Sequence, residues 1–270
     1  MNWLRIIKGE APLVVSIPHA GTDIPAHMES RFVSPFLARV DTDWHVDDLY
    51  DFAISLGATV ISTAISRSVI DVNRDPNGAS LYPGQATTGL CPETTFDGKP
   101  LYREGKRLEE DEIDERRGRY HAPYHAALAG EVQRLRLSHE RIVVYDAHAI
   151  RSHVPRLFEG ELPVFNIGTN SGQSCDPELS AAVQAICAGS GQPTIANGRF
   201  KGGYITRSSG KPALGVHAIQ MELAMRAYLR EPAIVREDNW PPKFDLDVAA
   251  PARATLRRVL NACLDFARDA

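Results

Sequence analysis

The chain has 270 residues, of which 43% are hydrophobic and 24% are charged, and its formal net charge is −4. These values are typical of a globular protein and exclude a disordered or fibrous chain. The mild acidity also argues against a nucleic-acid-binding protein, which would carry a basic surface. At roughly 150 residues per domain, the length allows one large domain or two smaller ones.

The compartment can be predicted from apolar runs and cysteine spacing. No apolar run approaches the roughly 18 residues of a membrane-spanning helix, and the N-terminal MNWLRIIKGEAP lacks the apolar core of a secretory signal. The cysteines are scattered, with no CxxC pair, at Cys91, Cys175, Cys187 and Cys263. This spacing argues against a disulfide framework or a cysteine-rich zinc motif. We therefore expect a cytoplasmic protein with no membrane partner, and the sequence leaves its oligomeric state open.

Short runs of aliphatic and β-branched residues predict six strands in chain order. Each run is almost continuously apolar, which is typical of strands that are buried on both faces of a sheet. The predicted strands span residues 13–17, 58–63, 68–72, 141–145, 163–167 and 215–221.

Helices are predicted between and after these strands. They span 46–56, 104–137 with a break at Pro123, a segment that begins at the Asp176-Pro177 cap signal, and 248–267. Residues 76–103 are rich in Pro, Gly and Thr and predict a long functional loop. Because strands alternate with helices and no linker is evident, we expect one α/β domain over 1–270, with a mixed, mostly parallel sheet flanked by helices.

Polar side chains follow several of the predicted strands. In open α/β sheets, ligands bind beyond the carboxyl ends of the strands, so these side chains are expected to converge. They are His19, Asn73, Arg74, Asp146, His148 and Glu222.

Two histidines in this set are candidate metal ligands. His19 lies in a Pro-His-Ala-Gly turn, and His148 lies two residues after Asp146, which could orient its ring. An ordinary turn histidine and an unrelated Asp-His pair are the alternatives.

The DTDWHVDDLY segment could supply a further ligand. Catalytic zinc usually has three protein ligands and one open position. The candidates are Asp41, Asp43, His45 and the more distant Asp23. Asp also favours helix N-caps, and the sequence alone does not choose among these residues.

Arginines and a glutamate are candidates for substrate binding and proton transfer. Arg74 presents a planar fork that suits a carboxylate, and Arg67 could stabilise a developing oxyanion. A solvated surface charge or a structural ion pair is the commoner role for a single arginine. Glu222 lies in the apolar run HAIQMELAM, where partial burial would raise its pKa toward the range of a general base. The alternative is a glutamate in the first turn of a helix.

A glycine-rich segment precedes the last predicted strand. Gly202 and Gly203 are followed by Tyr204 and Arg207, which could contact a substrate from a flexible rim, or the segment could be a hairpin. The sequence contains no phosphate-binding GxxxxGKS loop, no GxGxxG after a strand and no GxSxG turn. Nucleotide binding and serine-hydrolase chemistry therefore have no support.

Longer motifs resemble those of the N-formylglutamate deformylase (N-formylglutamate amidohydrolase) family. The matching segments include SIPHAGTDIP, DTDWHVDDLY, SRSVIDVNRDP, LYPGQATTGLCPETTFDGKPLY, VVYDAHAI, GRFKGGYITRSSG and HAIQMELAMRAYL. They run collinearly from about residue 11 to 230, and the last forty residues carry little of the resemblance.

The resemblance implies a fold similar to that of the zinc carboxypeptidase and aspartoacylase group, with one zinc ion or another divalent metal. It implies that His19, Asp43 and His148 bind the metal, that Glu222 is the base and that Arg67 stabilises the oxyanion. It further implies substrate contacts from Asn73, Arg74, Arg207 and Tyr204. The wider group has a His-x-x-Glu motif, but residue 22 here is Thr, so a carboxylate ligand has to come from elsewhere, with Asp23 as the reserve candidate.

The expected activity is therefore metal-dependent hydrolysis of N-formyl-L-glutamate, a small-molecule substrate, in histidine degradation. Two alternatives stay close to this chemistry: deacylation of another N-acyl acidic amino acid, and a carboxypeptidase-like peptidase. A third alternative is a protein that keeps the anion pocket and binds without turnover.

Overall fold

A seven-stranded mixed sheet forms the centre of the protein. The structure is a computed structural model that describes residues 3–269. The strands are β1 (Leu4–Ile7), β2 (Leu13–Ile17), β3 (Thr59–Thr63), β4 (Ile142–Ile150), β5 (Phe165–Gly168), β6 (Thr194–Ala196) and β7 (Val216–Ala224). Their spatial order is β1-β3-β2-β4-β7-β5-β6. The central strands β3, β2, β4 and β7 are parallel, while β1 pairs antiparallel with β3 and β5 pairs antiparallel with β7.

Seven α-helices accompany the sheet over residues 3–269. They are α1 (Ala26–Glu29), α2 (Val46–Leu49), α3 (Glu110–Arg116), α4 (Ala122–Arg136), α5 (Pro177–Ala188), α6 (Tyr204–Ser209) and α7 (Leu246–Arg268). Short 3₁₀ segments span Asp51–Leu56, Pro212–Leu214 and Met225–Ala227, and a π-helical turn, Arg117–His121, joins α3 to α4. In the described part of the chain, no helix combines the length and apolar character needed to cross a membrane.

The central strands are buried on both faces, as their composition predicts. In β4, Val143 and Tyr145 pack with α5 and α7, whereas Ile142 and Val144 pack with residues of α4 and α6. Successive side chains of a strand point to opposite faces, so one strand contributes to two cores. The mixed, mostly parallel sheet flanked by helices is therefore confirmed.

Two helices begin at an aspartate that caps the first turn. Asp176 caps α5 by accepting a hydrogen bond from the backbone N–H of Glu178, as the Asp-Pro signal predicts. Asp245 caps α7 in the same way. The predicted break at Pro123 is also present, because this proline lies in the first turn of α4, directly after the π-helical turn.

One predicted strand is wrong. Residues 68–72 form turns rather than a strand. The apolar side chains Val69 and Ile70 are buried, but they pack against Leu101, Tyr102 and other residues outside the main sheet. An apolar run can satisfy its hydrophobicity in such a side cluster without pairing with the sheet, and periodicity alone does not separate the two cases.

Other predicted boundaries also change. Strands β4 and β7 are longer than predicted, so Asp146, His148 and Glu222 lie inside strands rather than after them, and Glu222 is not in a helical first turn. The segment at Tyr204 forms the short helix α6 rather than a hairpin. The short strands β1 and β6 were not predicted. The predicted domain limits, 1 and 270, lie outside the described residues.

Candidate active site

A buried cluster of His19, Asp43 and His148 lies at the carboxyl ends of the parallel strands. The Nδ1 atoms of the two histidines are 3.1 Å apart. Asp43 Oδ2 lies 3.2 Å from His148 Nδ1 and 3.6 Å from His19 Nδ1. Among the residues that the structure describes, this is the one group of three or more histidine, cysteine or acidic side chains whose atoms converge as metal ligands would.

The fold holds each member of the cluster by backbone contacts. His19 follows β2, and its carbonyl accepts a hydrogen bond from the backbone N–H of Asp43. Asp43 Oδ2 in turn accepts one from the backbone N–H of Ala149 in β4. The turn after His19 needs Gly21, because a Cβ at this position would lie 2.4 Å from the backbone of Ala64. The two histidines are 129 residues apart in the sequence, and neighbouring parallel strands bring them together.

Two further carboxylates hold the outer nitrogen of each imidazole. Asp71 Oδ1 is 2.7 Å from His19 Nε2, and Asp146 Oδ1 is 3.1 Å from His148 Nε2. A proton on His19 Nε2 faces Asp71 and leaves the Nδ1 lone pair of His19 directed into the cluster. The Nδ1 atoms of the two histidines are 3.1 Å apart beside the buried carboxylate of Asp43, and this spacing needs a proton or a cation between them. The donor set of two imidazoles and one carboxylate therefore fits a divalent metal such as zinc.

The other candidates for the third ligand lie elsewhere. Asp41 accepts a hydrogen bond from the backbone N–H of Phe96 and pairs with Arg151. His45 contacts Asp48 and the carbonyl of Pro242. Asp23 forms a bridge with Ile65, away from the cluster.

Electrostatics hold Asp43 ionised and His148 protonated when no metal is present. Burial alone would raise the pKa of the Asp43 carboxyl, but His19, His148 and Arg67 outweigh it and hold that pKa below its ordinary value. Burial alone would lower the pKa of the His148 imidazole, but Asp146 and Asp43 raise it well above its usual range. A proton on His148 thus supplies the positive charge that a metal ion would bring.

Arg67 contacts this cluster directly. Its Nη1 lies 3.2 Å from His19 Nδ1 and 3.3 Å from Asp43 Oδ1, and its Nη2 donates to Asp71 Oδ2 at 2.6 Å. The guanidinium group also lies over the ring of Phe96, 4.8 Å from its centroid. These contacts hold a permanent positive charge at the wall of the cavity described next.

A cavity opens beside the cluster and is lined by charged, polar and aromatic side chains. Its lining includes His19, Arg67, Asn73, Arg74, Tyr82, Thr88, Phe96, His148, Arg199, Phe200, Gly203, Gln220 and Glu222. The cavity therefore brings together two of the three predicted ligands, the predicted base and three arginines.

Glu222 lies beside His148 because the two residues are paired across β4 and β7. The residue is 8% exposed, and its carboxylate contacts Gln220 Nε2 at 3.4 Å. No ion pair of Glu222 occurs within the described range, 3–269. Burial raises the pKa of its carboxyl to about 8, against the opposing effect of His148. A carboxyl group with this pKa can both accept and return a proton near neutral pH.

Asn73 and Arg74 also face the cavity, and both have protein partners. Asn73 Nδ2 lies 2.9 Å from His148 Nε2, while its Oδ1 accepts a hydrogen bond from the backbone N–H of Ile205. Arg74 donates to the carbonyl and the hydroxyl of Thr88. Gly203 packs so tightly against Asn73 that a Cβ would lie 2.3 Å from Nδ2.

Two predicted substrate contacts lie outside this lining. Arg207 donates from Nε to the carbonyl of Gly202 and lies over the ring of Tyr82. Tyr204 packs against His121 and His125 and lines a separate groove. The structure therefore does not bring these two side chains to the cavity, and their roles stay predictions.

Three residues of the site were not singled out from the sequence. Asp71 holds His19 and Arg67, Gln220 contacts Glu222 and Gly203, and Arg199 lines the cavity. Asp71 lies inside the apolar run 68–72, whose pattern predicts a strand and not a polar site. An aspartate inside an apolar run was nevertheless a signal, because such a group is costly to bury without partners.

Comparison with known proteins places the chain in a family. The N-formylglutamate amidohydrolase family profile matches residues 11–229. N-formylglutamate deformylase of Pseudomonas aeruginosa is 44% identical over 98% of this chain and 97% of its own length. The Pseudomonas putida N-formylglutamate deformylase is 43% identical over the same shares.

A solved structure agrees with this match. The crystal structure of N-formylglutamate amidohydrolase from Ralstonia eutropha JMP134 has a TM-score of 0.79 and 25% identity, and the alignment covers 99% of this chain and 98% of that one. The product of Agrobacterium tumefaciens gene Atu2144 shares the fold, with a TM-score of 0.68 at 17% identity and coverage of 97% and 94%. From the family match and the near full-length relatives, this chain belongs to the N-formylglutamate amidohydrolase family.

Proposed function

We propose that this chain hydrolyses N-formyl-L-glutamate to formate and L-glutamate with the help of a divalent metal, zinc in the first instance. The proposal rests on one arrangement: the His19–Asp43–His148 cluster and the buried carboxylate of Glu222 meet at a cavity lined by arginines. The relatives named N-formylglutamate deformylase, at 43–44% identity, support the choice of substrate.

The metal would be held by Nδ1 of His19, Nδ1 of His148 and the carboxylate of Asp43. Three protein ligands leave one tetrahedral position of zinc open. When bound there, zinc supplies Lewis acidity and lowers the pKa of a coordinated water from 15.7 toward about 7. Cobalt, manganese and iron accept the same donor types, so the identity of the bound metal has to be determined by experiment.

Glu222 would move the proton. Its carboxylate takes a proton from the attacking water and then delivers it to the nitrogen of the leaving glutamate. Desolvation raises the pKa of this carboxyl to about 8, which brings it near the pH at which both transfers occur. Gln220, at 3.4 Å, holds the carboxylate on the cavity side of β7.

The arginines would hold the negative charges of the reaction. Arg67 is fixed by Asp43 and Asp71 at the cluster, where it can stabilise the oxygen of the formyl group as negative charge develops. Asn73 and Arg74 face the same cavity, and we assign one carboxylate of the substrate to them.

The compartment and domain organisation complete the proposal. The cysteines that the structure describes are free, buried thiols, which is the state expected in a reducing compartment, so we propose the cytoplasm. One seven-stranded sheet supports the whole site, through its strands and the loops that follow them, which favours a single catalytic domain.

A direct assay tests this function. Purified protein is treated with a chelator and reloaded with zinc, cobalt or manganese, and formate release from N-formyl-L-glutamate is measured. The expected result is loss of turnover on chelation and recovery on reloading. A panel with N-acetyl-L-glutamate, N-formyl-L-aspartate and a glutamyl peptide separates deformylation from other deacylation and from peptidase activity. Normal formate release by the metal-free protein contradicts the proposal.

A further inference from the structure

Arg199 is a cavity arginine that lacks a carboxylate partner within residues 3–269. It follows β6, lines the cavity with Arg67 and Arg74, and is absent from the ion pairs of the described residues. Arg67 is neutralised by Asp43 and Asp71, and Arg74 lies 3.6 Å from Asp71. Arg199 is therefore the one arginine of this lining that has no ion pair among the described residues.

The protein orients Arg199 without neutralising it. Its Nε donates to the carbonyl of Leu157 at 2.7 Å, and its Nη2 donates to the carbonyl of Ala86 at 2.6 Å. The guanidinium group also lies over the rings of Tyr82 and Phe200, with centroid distances of 5.2 and 5.4 Å. Neutral carbonyls and aromatic rings fix its direction, and Nη1 keeps no hydrogen-bond partner among the described residues.

The charge on Arg199 is also held at a cost. Desolvation lowers the pKa of its guanidinium group and Arg74 adds to this effect, while Tyr82 and Glu222 oppose it. An anion bound between the two arginines would relieve both effects. A group that is oriented, half-buried and unpaired in this way is arranged to receive a negative charge from a ligand.

We propose that Arg199 binds the side-chain carboxylate of the substrate, with the α-carboxylate held by Asn73 and Arg74, and so makes the site selective for dianionic N-formyl amino acids. This inference rests on the proposed function. It takes the place of the expected substrate contact from Arg207, because Arg207 donates to the carbonyl of Gly202 and lies outside the cavity lining.

The test compares two substrates that differ only in this charge. N-formyl-L-glutamine has a neutral amide where N-formyl-L-glutamate has its side-chain carboxylate. Loss of charge-assisted hydrogen bonds predicts that Arg199→Met lowers kcat/KM for N-formyl-L-glutamate on the order of 10²-fold. The value for N-formyl-L-glutamine should stay nearly unchanged, so the discrimination ratio collapses. Arg199→Lys should restore part of the ratio because it keeps the charge.

Three outcomes overturn the inference. An equal loss on both substrates indicates that Arg199 supports the cavity structure only. Unchanged kcat/KM values for both substrates exclude any contact of Arg199 with the substrate. A ratio that collapses in Arg207→Met but not in Arg199→Met gives the role to Arg207.

A binding measurement separates this inference from the proposed function. If the metal-loaded wild-type protein releases no formate, the proposed function fails, and Arg199 is tested with the dicarboxylate itself. L-glutamate, but not L-glutamine, should then raise the Tm of the wild-type protein and leave that of Arg199→Met unchanged. The same shift in both proteins, or no shift in the wild type, overturns the assignment of Arg199.

Discussion

Replacing Glu222 with glutamine should lower activity and raise stability together. The variant keeps the shape and the contact with Gln220 but removes the group that carries the proton. If Glu222 is the general base, formate release should fall on the order of 10²- to 10⁴-fold. A residue retained for structure would show the opposite pairing, with little loss of activity and lower stability.

The gain in stability follows from the raised pKa of the carboxyl. Its ordinary value is 4.5 and its value in the fold is about 8, so between these pH values the folded state keeps a proton that the unfolded chain has released. The contribution of Glu222 to the free energy of unfolding therefore decreases as pH rises through this window. At pH 7, which is 2.5 pH units above 4.5, the raised pKa of Glu222 lowers the free energy of unfolding by an amount on the order of 3 kcal/mol, at about 1.4 kcal/mol per pH unit.

The assay is urea unfolding of the metal-free proteins between pH 4.5 and 8. The difference in unfolding free energy between Glu222→Gln and wild type should be small at pH 4.5 and should grow toward pH 8. Glu131→Gln is the matched control, because Glu131 is equally buried but pairs with Arg134 at 2.7 Å and with Lys8 at 3.4 Å. That variant should lose stability and keep activity. A Glu222→Gln protein that is less stable than wild type at pH 8 refutes the reasoning.

Three further variants test the cluster and its support. Asp43→Asn should abolish stoichiometric zinc binding, measured by elemental analysis after dialysis, and a full complement of zinc would remove Asp43 from the ligand set. Asp71→Asn, which loosens the histidine that it contacts at 2.7 Å, should weaken zinc affinity roughly 10- to 100-fold in a chelator competition, whereas unchanged affinity would show that the contact is dispensable. Gly203→Ala places a Cβ 2.3 Å from Asn73 Nδ2, so it should lower the free energy of unfolding by about 1–3 kcal/mol and also lower kcat/KM. Gly130→Ala is the control, because the space around Gly130 in α4 is open and the substitution should cost no stability. Equal effects of the two substitutions would contradict the packing argument.

The sequence was a good guide wherever the fold depends on local pattern. The apolar runs at 13–17 and 141–145 are central strands, and the Asp176 signal caps a helix. These features depend on residues close together in the chain, because strand burial and helix capping follow from neighbouring side chains.

The polar set at the strand ends was also predictable in outline. His19, His148 and Glu222 were recognised because polar groups in or after buried strands are costly unless they serve a site. Their family resemblance added the order and the roles. Their convergence in one place follows from the parallel pairing of β2, β4 and β7, which the alternation of strands and helices already favoured.

What the sequence could not decide was which loop side chains turn inward. Asp43 and Asp41 are two residues apart and chemically equivalent, yet only Asp43 lies with the two histidines, through backbone contacts to His19 and Ala149. Arg199 and Arg207 lie eight residues apart, and α6 begins between them, so only Arg199 lines the cavity. The amino-acid sequence thus determined the sheet, its burial and the kinds of groups available. Only the tertiary structure decided which of them meet, because loop direction depends on contacts between segments that are distant in the chain.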